Sequence, residues 1–202
     1  MQLNDIRINA DHETTLKEGA SEIISRIRPD WGLRTHFKHK IFSDGITNKL
    51  VGVYIQGKKQ DMILVRVYGH NSELMIDRQS EIRNMKLLHA NGCGSELYAT
   101  FQNGLAYEYL HGSTLTLDSV CDPLVFPAVA AACSKMHSIK LPDVIKKEPC
   151  IWKLLKKFQK LSPDGFPEST DKDSIYRTKV PFTKVQLADQ IERWKPYWAS
   201  KV

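Results

Sequence analysis

The sequence lacks most of the features that assign a chain to a simple class. Nowhere in its 202 residues do about 18 apolar residues run together, so nothing reads as a membrane-spanning helix. Met1 to His12 is interrupted by Asp5, Arg7, Asp11 and His12, which a secretory leader would not tolerate, so no signal peptide is expected. The four cysteines, Cys93, Cys121, Cys133 and Cys150, form no C-x-x-C pair and have no companion histidines at metal-ligand spacing. That argues against a zinc site and against a disulfide framework, and reduced thiols in a cytoplasmic protein is the plain reading. With only 11 Gly and 9 Pro the chain is neither fibrous nor low-complexity. It has no Walker loop, no G-x-G-x-x-G and no internal repeat.

What is present is the composition of a folded globular chain, 42% apolar and 26% charged. Twenty-nine Lys and Arg against 23 Asp and Glu leave a net charge of +6. This favours an anionic partner such as a nucleotide, an acidic membrane or a nucleic acid, without choosing between them. The interleaved aromatic and basic residues of RNA-binding sheets are missing, so no nucleic acid is expected.

Asp11 can cap a helix on which Leu16, Ala20, Ile23, Ile24 and Ile27 recur at helical spacing until Pro29 stops it. Three segments rich in β-branched and aromatic residues follow: Thr35 to Phe42, Lys49 to Gln56 and Met62 to Tyr68. They read as consecutive strands joined through Asp44-Gly45 and through residues 57–61. Asp77 then opens a helix carrying Ile82, Met85 and Leu88 on one side, which Asn91-Gly92 ends in a left-handed cap. Leu97 to Phe101 and Leu105 to Leu110 form a hairpin across Gln102-Asn103-Gly104. Past Gly112 the strand patterns stop. Helices are expected at 121–139, 149–161 and 183–198, and Ser162 to Pro181, with three prolines and many charges, reads as an irregular connection. The expected class is α+β: a five-stranded antiparallel sheet with one inserted helix, then helices. It divides into a leading helix at 1–34, a sheet lobe at 35–111 and a helical region at 112–202.

Period-two alternation puts Arg66 on the same face as Leu64 and Tyr68, an odd place for a fixed charge, and a half-buried guanidinium needs an anionic partner. Glu81, 15 residues on, lies in the following helix, and the arginine fork suits carboxylate and phosphate alike. A structural ion pair, or a surface arginine with its stem along the sheet, fits the same spacing. The loop Asp44-Gly45-Ile46-Thr47-Asn48 has a glycine and small polar side chains that let backbone N–H groups approach phosphate, and it also fits an ordinary turn. Glu108-Tyr109-Leu110, ending the fifth strand, offers backbone groups to a base edge, as any edge strand does. His137 reads as a capping or packing histidine. The segment 151–161 sets Ile151, Leu154, Leu155 and Phe158 against Lys153, Lys156, Lys157 and Lys160, which suits an acidic membrane surface or a packing helix with a solvated basic face.

The layout resembles a protein-kinase-like small lobe leading into a large lobe, and a set of motifs sharpens the likeness. Asp44-Gly45-Ile46-Thr47-Asn48-Lys49-Leu50, Leu64-Val65-Arg66-Val67-Tyr68-Gly69, Glu73-Leu74-Met75-Ile76-Asp77-Arg78, Leu97-Tyr98 with Thr100-Phe101, and Asn103-Gly104-Leu105 with Tyr107-Glu108-Tyr109 are similar to successive blocks of the choline/ethanolamine kinase family. The Glu-Leu-x-x-Asp-Arg stretch looks more like ethanolamine kinases than choline kinases. The likeness is strong over 42–112 and continues more weakly to about 160 through Lys135-Met136-His137-Ser138-Ile139 and Ile151-Trp152-Lys153.

This resemblance implies an ATP-binding small lobe at 35–111 and the opening helices of an incomplete large lobe after it. The loop Asp44 to Asn48 would cover the nucleotide phosphates, Arg66 would stand where protein kinases keep a lysine, Glu81 would pair with it, and Glu108, Tyr109 and Leu110 would hold adenine. Such kinases use ATP and magnesium to phosphorylate ethanolamine or choline. They carry a His-Asn-Asp-x-x-x-x-Asn catalytic loop followed by an Asp-x-Glu magnesium segment, and that succession does not occur in this sequence. The chain ends at Lys201-Val202 where the family would begin the catalytic loop, so a fragment inactive alone is expected, with the magnesium ligands and the substrate pocket in a missing C-terminal part. A homodimer of the full-length form, or a noncatalytic short form paired with a full-length kinase, are the assemblies to consider.

Overall fold

Valine at alternate positions builds one face of the sheet: Val51, Val53, Val65 and Val67 all lie in the core. The computed structural model describes residues 1–43, 48–142 and 151–199. They divide into two units, Met1–Lys140 and Leu141–Val202.

The first unit is a sheet with helices. Its strands are β1 (Gln2–Leu3), β2 (Phe37–Phe42), β3 (Lys49–Ile55), β4 (Ile63–Val67), β5 (Leu97–Phe101) and β6 (Gly104–Glu108), in the order β1-β5-β6-β4-β3-β2. The helices are α1 (Glu13–Ile27), α2 (Arg78–Ala90), the short α3 (Leu117–Val120) and α4 (Phe126–His137). Helix α1 lies over β3 and β4, burying Leu16, Ala20, Ile23 and Ile24 against the valines, Ala99, Phe101 and Ala106. Each fully buried Val, Leu or Ile side chain there contributes about 1.5–3 kcal/mol.

Several expectations are corrected. The sheet has six strands, not five, because Gln2–Leu3 adds to the edge of β5 as a parallel strand, with Gln2 opposite Thr100 and Leu3 opposite Phe101. The leading segment therefore carries a strand as well as a helix. Asp11 does not cap α1. His12 occupies the cap position without a side-chain bond, and the Asp11 N–H donates to Asn9 Oδ1 at 2.8 Å. Burial of the apolar stripe, rather than a cap, sets where this helix starts. Strand β6 ends at Glu108, so Tyr109 and Leu110 follow the strand instead of belonging to it. The β5–β6 hairpin closes over Gln102-Asn103 alone, since Gly104 already pairs with Phe101. Helix α2 agrees with its signals: Asp77 caps it, and Gly92 adopts φ 62° beyond its end. The Lys135 ammonium on α4 donates to Gly92 O at 3.1 Å.

The second unit contains α5 (Ile151–Leu161), α6 (Thr170–Lys179) and α7 (Lys184–Ala199). Helix α5 packs on α7, where Lys156 pairs with Glu192 at 2.6 Å and Gln159 Nε2 donates to Lys184 O at 3.1 Å. The α6 helix falls inside the stretch expected to be irregular. Ser169 caps it, Asp171 and Asp173 lie in its first turn, Arg177 and Lys179 lie in its last, and Asp173 pairs with Arg177. It is held by caps and charge complementarity, with no buried side chain, and so shows no apolar period.

Candidate functional site

Along β4, Ile63, Val65 and Val67 join the α1-side core, while Leu64 and Arg66 face the other way. On that second face Arg66 lies in register between Leu50 of β3 and Leu105 of β6. Its guanidinium carbon is 5.7 Å from the centroid of the Tyr107 ring. A cation among such neighbours must be compensated. The compensation comes from the first turn of α2, where Glu81 Oε1 accepts a bond from Arg66 Nη2. The two side chains are only 22% and 20% exposed, so their attraction is less screened than that of a surface pair.

Asp77 fixes where α2 begins and hence where Glu81 sits. Its carboxylate accepts from Gln79 N at 3.1 Å, Ser80 N at 3.2 Å and the Ser80 hydroxyl at 2.6 Å. The Ser80 hydroxyl is the main reason that the Asp77 carboxyl titrates below its ordinary range, and the backbone N–H donors add to it.

The other oxygen of Glu81 is also taken. Arg78 Nη1 donates to Oε2 at 2.9 Å, and Arg78 Nη2 donates to Ser72 Oγ. Ser72 in turn donates to Gly69 O at 2.8 Å, and the Arg78 guanidinium stacks 3.6 Å from the Tyr68 ring centroid. Sequence reasoning gives Arg78 no part, although its i,i+3 spacing to Glu81 on a helix signals the contact. Glu81 therefore offers one oxygen to each of two arginines. The Nε atoms of Arg66 and Arg78 are buried and find no hydrogen-bond partner among the described residues, so the Arg66 fork retains unused donor capacity. Burial, and then the Glu81 charge, push the Tyr68 phenol up; burial likewise raises Tyr107, against the pull of Arg66.

Of the other expected site residues, Asp44, Gly45, Ile46 and Thr47 lie outside the described residues. Asn48 is placed: its Oδ1 accepts from Gly69 N at 3.2 Å, tying the start of β3 to the end of β4. Glu108 sits opposite Ile63 of β4. Its N–H donates to Glu96 O at 2.9 Å and its Oε2 accepts from Glu96 N at 3.0 Å. The Tyr109 ring packs against Phe42 and His111, with centroids 6.4 and 5.2 Å away, and Leu110 is exposed. Among the described residues no group of three or more His, Cys, Asp and Glu side chains is placed to hold a metal ion. No helix among them is long and apolar enough to cross a membrane, and Cys93, Cys121 and Cys133 are free thiols.

An open sheet with an arginine on a central strand, paired to a carboxylate in the first turn of the next helix, is the layout of a kinase-like small lobe. Solved structures agree on the fold. A Plasmodium vivax ethanolamine kinase superposes with a TM-score of 0.73 at 21% identity, over 93% of this chain and 54% of that one. A Cryptosporidium parvum choline kinase gives 0.59 at 22% identity, over 71% and 42%. Residues 39–201 match the model of the Choline/ethanolamine kinase family, and the chain belongs to that family. Human ethanolamine kinase 1 is 33% identical over 181 residues, which are 90% of this chain and 40% of that protein. Mouse ethanolamine kinase 2 is 38% identical over 176 residues, 87% of this chain and 43% of that protein. The chain thus spans less than half the length of these two curated relatives.

Proposed function

We propose that this chain is the nucleotide-binding portion of a cytoplasmic ethanolamine kinase, which transfers the γ-phosphate of ATP to the hydroxyl of ethanolamine and so feeds phosphatidylethanolamine synthesis. The observation that carries the reading is the half-buried Arg66–Glu81 pair on β4 and α2 in a member of this family. Ethanolamine is favoured over choline because both curated relatives described above are ethanolamine kinases by name.

Phosphoryl transfer asks a protein for positioning and for neutralisation of phosphate charge. Arg66 would bring a fixed cation to the phosphate oxygens, with Glu81 holding its fork in orientation. The loop Asp44 to Asn48 would lie over the phosphates. Arg66 is three residues along β4 from Ile63, the partner of Glu108. At about 3.3 Å per residue that is about 10 Å, comparable to the distance from an adenine edge to its phosphates. The Glu108 N–H is committed to Glu96, so the base would meet the backbone of Tyr109 and Leu110. Magnesium would supply further neutralisation, and no step is assigned to it on the described residues.

ATP added to the 15N-labelled chain is expected to shift the amides of residues 108–110 and the Arg66 side chain. Absence of a shift at both places would contradict the nucleotide site. The 202 residues, which lack the catalytic-loop motif, are expected to bind ATP weakly and to form no phosphoethanolamine. A polypeptide of the family's full length should form it and prefer ethanolamine, and a preference for choline would contradict the substrate assignment.

A further inference from the structure

We infer that Arg78 is a positioning residue for the nucleotide phosphates: it neutralises Glu81, so that the charge of Arg66 remains available to the ligand. The inference rests on the nucleotide reading of this site. A single Arg66–Glu81 pair has no net charge, and a polyphosphate approaching Arg66 would meet the Glu81 carboxylate at similar range, so attraction and repulsion would largely cancel. With Arg78 on the second carboxylate oxygen, at 2.9 Å, the cluster carries two cations and one anion. Its net charge is positive, and the surplus sits on the face of β4 that carries Arg66.

Geometry makes Arg78 suited to stay in place while Arg66 responds. The Arg78 side chain is 15% exposed, and its guanidinium stacks on Tyr68 and bonds Ser72, whose hydroxyl closes onto Gly69. These contacts lie on the segment after β4, so a phosphate taken up by Arg66 does not compete for them. When part of the Arg66 fork turns to a phosphate, Glu81 keeps its Arg78 bond, and α2 needs no rearrangement. The Nε of each arginine is buried without an acceptor, but Arg66 has only one Nη engaged, by Glu81, whereas both Nη atoms of Arg78 are bonded, to Glu81 and Ser72. One carboxylate is thus held by a cation anchored away from the ligand and shared with a cation directed toward it.

The test titrates ATP and, separately, adenosine into the 202-residue chain as wild type, Arg78→Gln and Arg78→Lys. Glutamine keeps hydrogen-bond donors and removes the charge; lysine keeps the charge and removes the planar fork. Arg78→Gln should weaken ATP about tenfold and leave adenosine within about twofold, because adenosine has no phosphate for the charge to act on. Arg78→Lys should recover most of the ATP affinity. Unchanged ATP affinity in Arg78→Gln, or equal weakening of ATP and adenosine, would overturn the proposal, the second result marking a purely structural role. Should Arg78→Gln unfold, the wild type decides alone: its Arg66 Nε resonance should move on adding ATP while that of Arg78 stays, and equal movement of both would count against it. A wild-type chain that binds neither ligand refutes the nucleotide site itself, whereas ATP binding that is indifferent to Arg78 refutes this inference only.

Discussion

Asn103 and Ile8 are joined twice: the Asn103 Nδ2 donates to Ile8 O at 2.8 Å, and its Oδ1 accepts from Ile8 N at 3.0 Å. The side-chain amide behaves like one more residue of a strand pair. Asn103 O also accepts from Tyr68 N at 2.8 Å, so one residue ties the leading segment and the β5–β6 turn to the end of β4. Asn103→Ala leaves partly buried groups at Ile8 without partners and should cost about 1–3 kcal/mol, read as a lowered Tm. An unchanged Tm would show that the double bond does not support the lobe.

Gly104 is required by close approach. A Cβ there would stand 2.2 Å from Arg66 O and 2.3 Å from the Phe101 ring. The ring can turn aside, but the backbone carrying Arg66 would have to shift. Gly104→Ala should destabilise by about 1–3 kcal/mol in urea unfolding and displace Arg66 from Glu81. Full stability would mean that β4 and β6 can separate at no cost.

His39 on β2 gives the first unit a pH dependence. Its Nε2 lies 2.8 Å from Ser21 Oγ of α1. Burial first, and then the charge of Lys17, push its pKa below the ordinary 6.5, so the folded state favours the neutral ring. For a cationic group depressed on folding, the unfolded chain binds more protons. The associated stability is present above the unfolded pKa and is lost as pH falls through the folded one. Urea midpoints should therefore drop as pH falls below the ordinary histidine value of 6.5, and His39→Gln should remove that part of the slope. Identical slopes in the two proteins would contradict the assignment.

Much of this was legible because periodicity and local chemistry agreed. β5 runs over Leu97–Phe101 as the apolar pattern indicates, and Asp77 and Gly92 bound α2 where their backbone preferences place them. Arg66 was legible as a charge out of place in an apolar strand, and Glu81 as the acid in the helix that follows. β1 was not, because two residues paired to an edge carry no period. Neither was α6, whose Asp171, Asp173, Arg177 and Lys179 hold a surface helix without an apolar face, while Pro163, Pro167 and Pro181 flank it. Arg78 escaped because its part depends on three bodies at once: a carboxylate already paired, the Tyr68 ring and the Ser72 hydroxyl.

Arg66 is the cation on which the nucleotide site rests, and its removal tests the site most directly. Isothermal titration of ATP and of adenosine into the wild-type chain and into Arg66→Met isolates that charge, since methionine keeps an apolar stem beside Leu105 and Tyr107 and leaves Glu81 to Arg78. The expected result is ATP affinity lowered by about tenfold or more, with adenosine nearly unchanged. ATP bound equally well by both chains would contradict a phosphate site at Arg66.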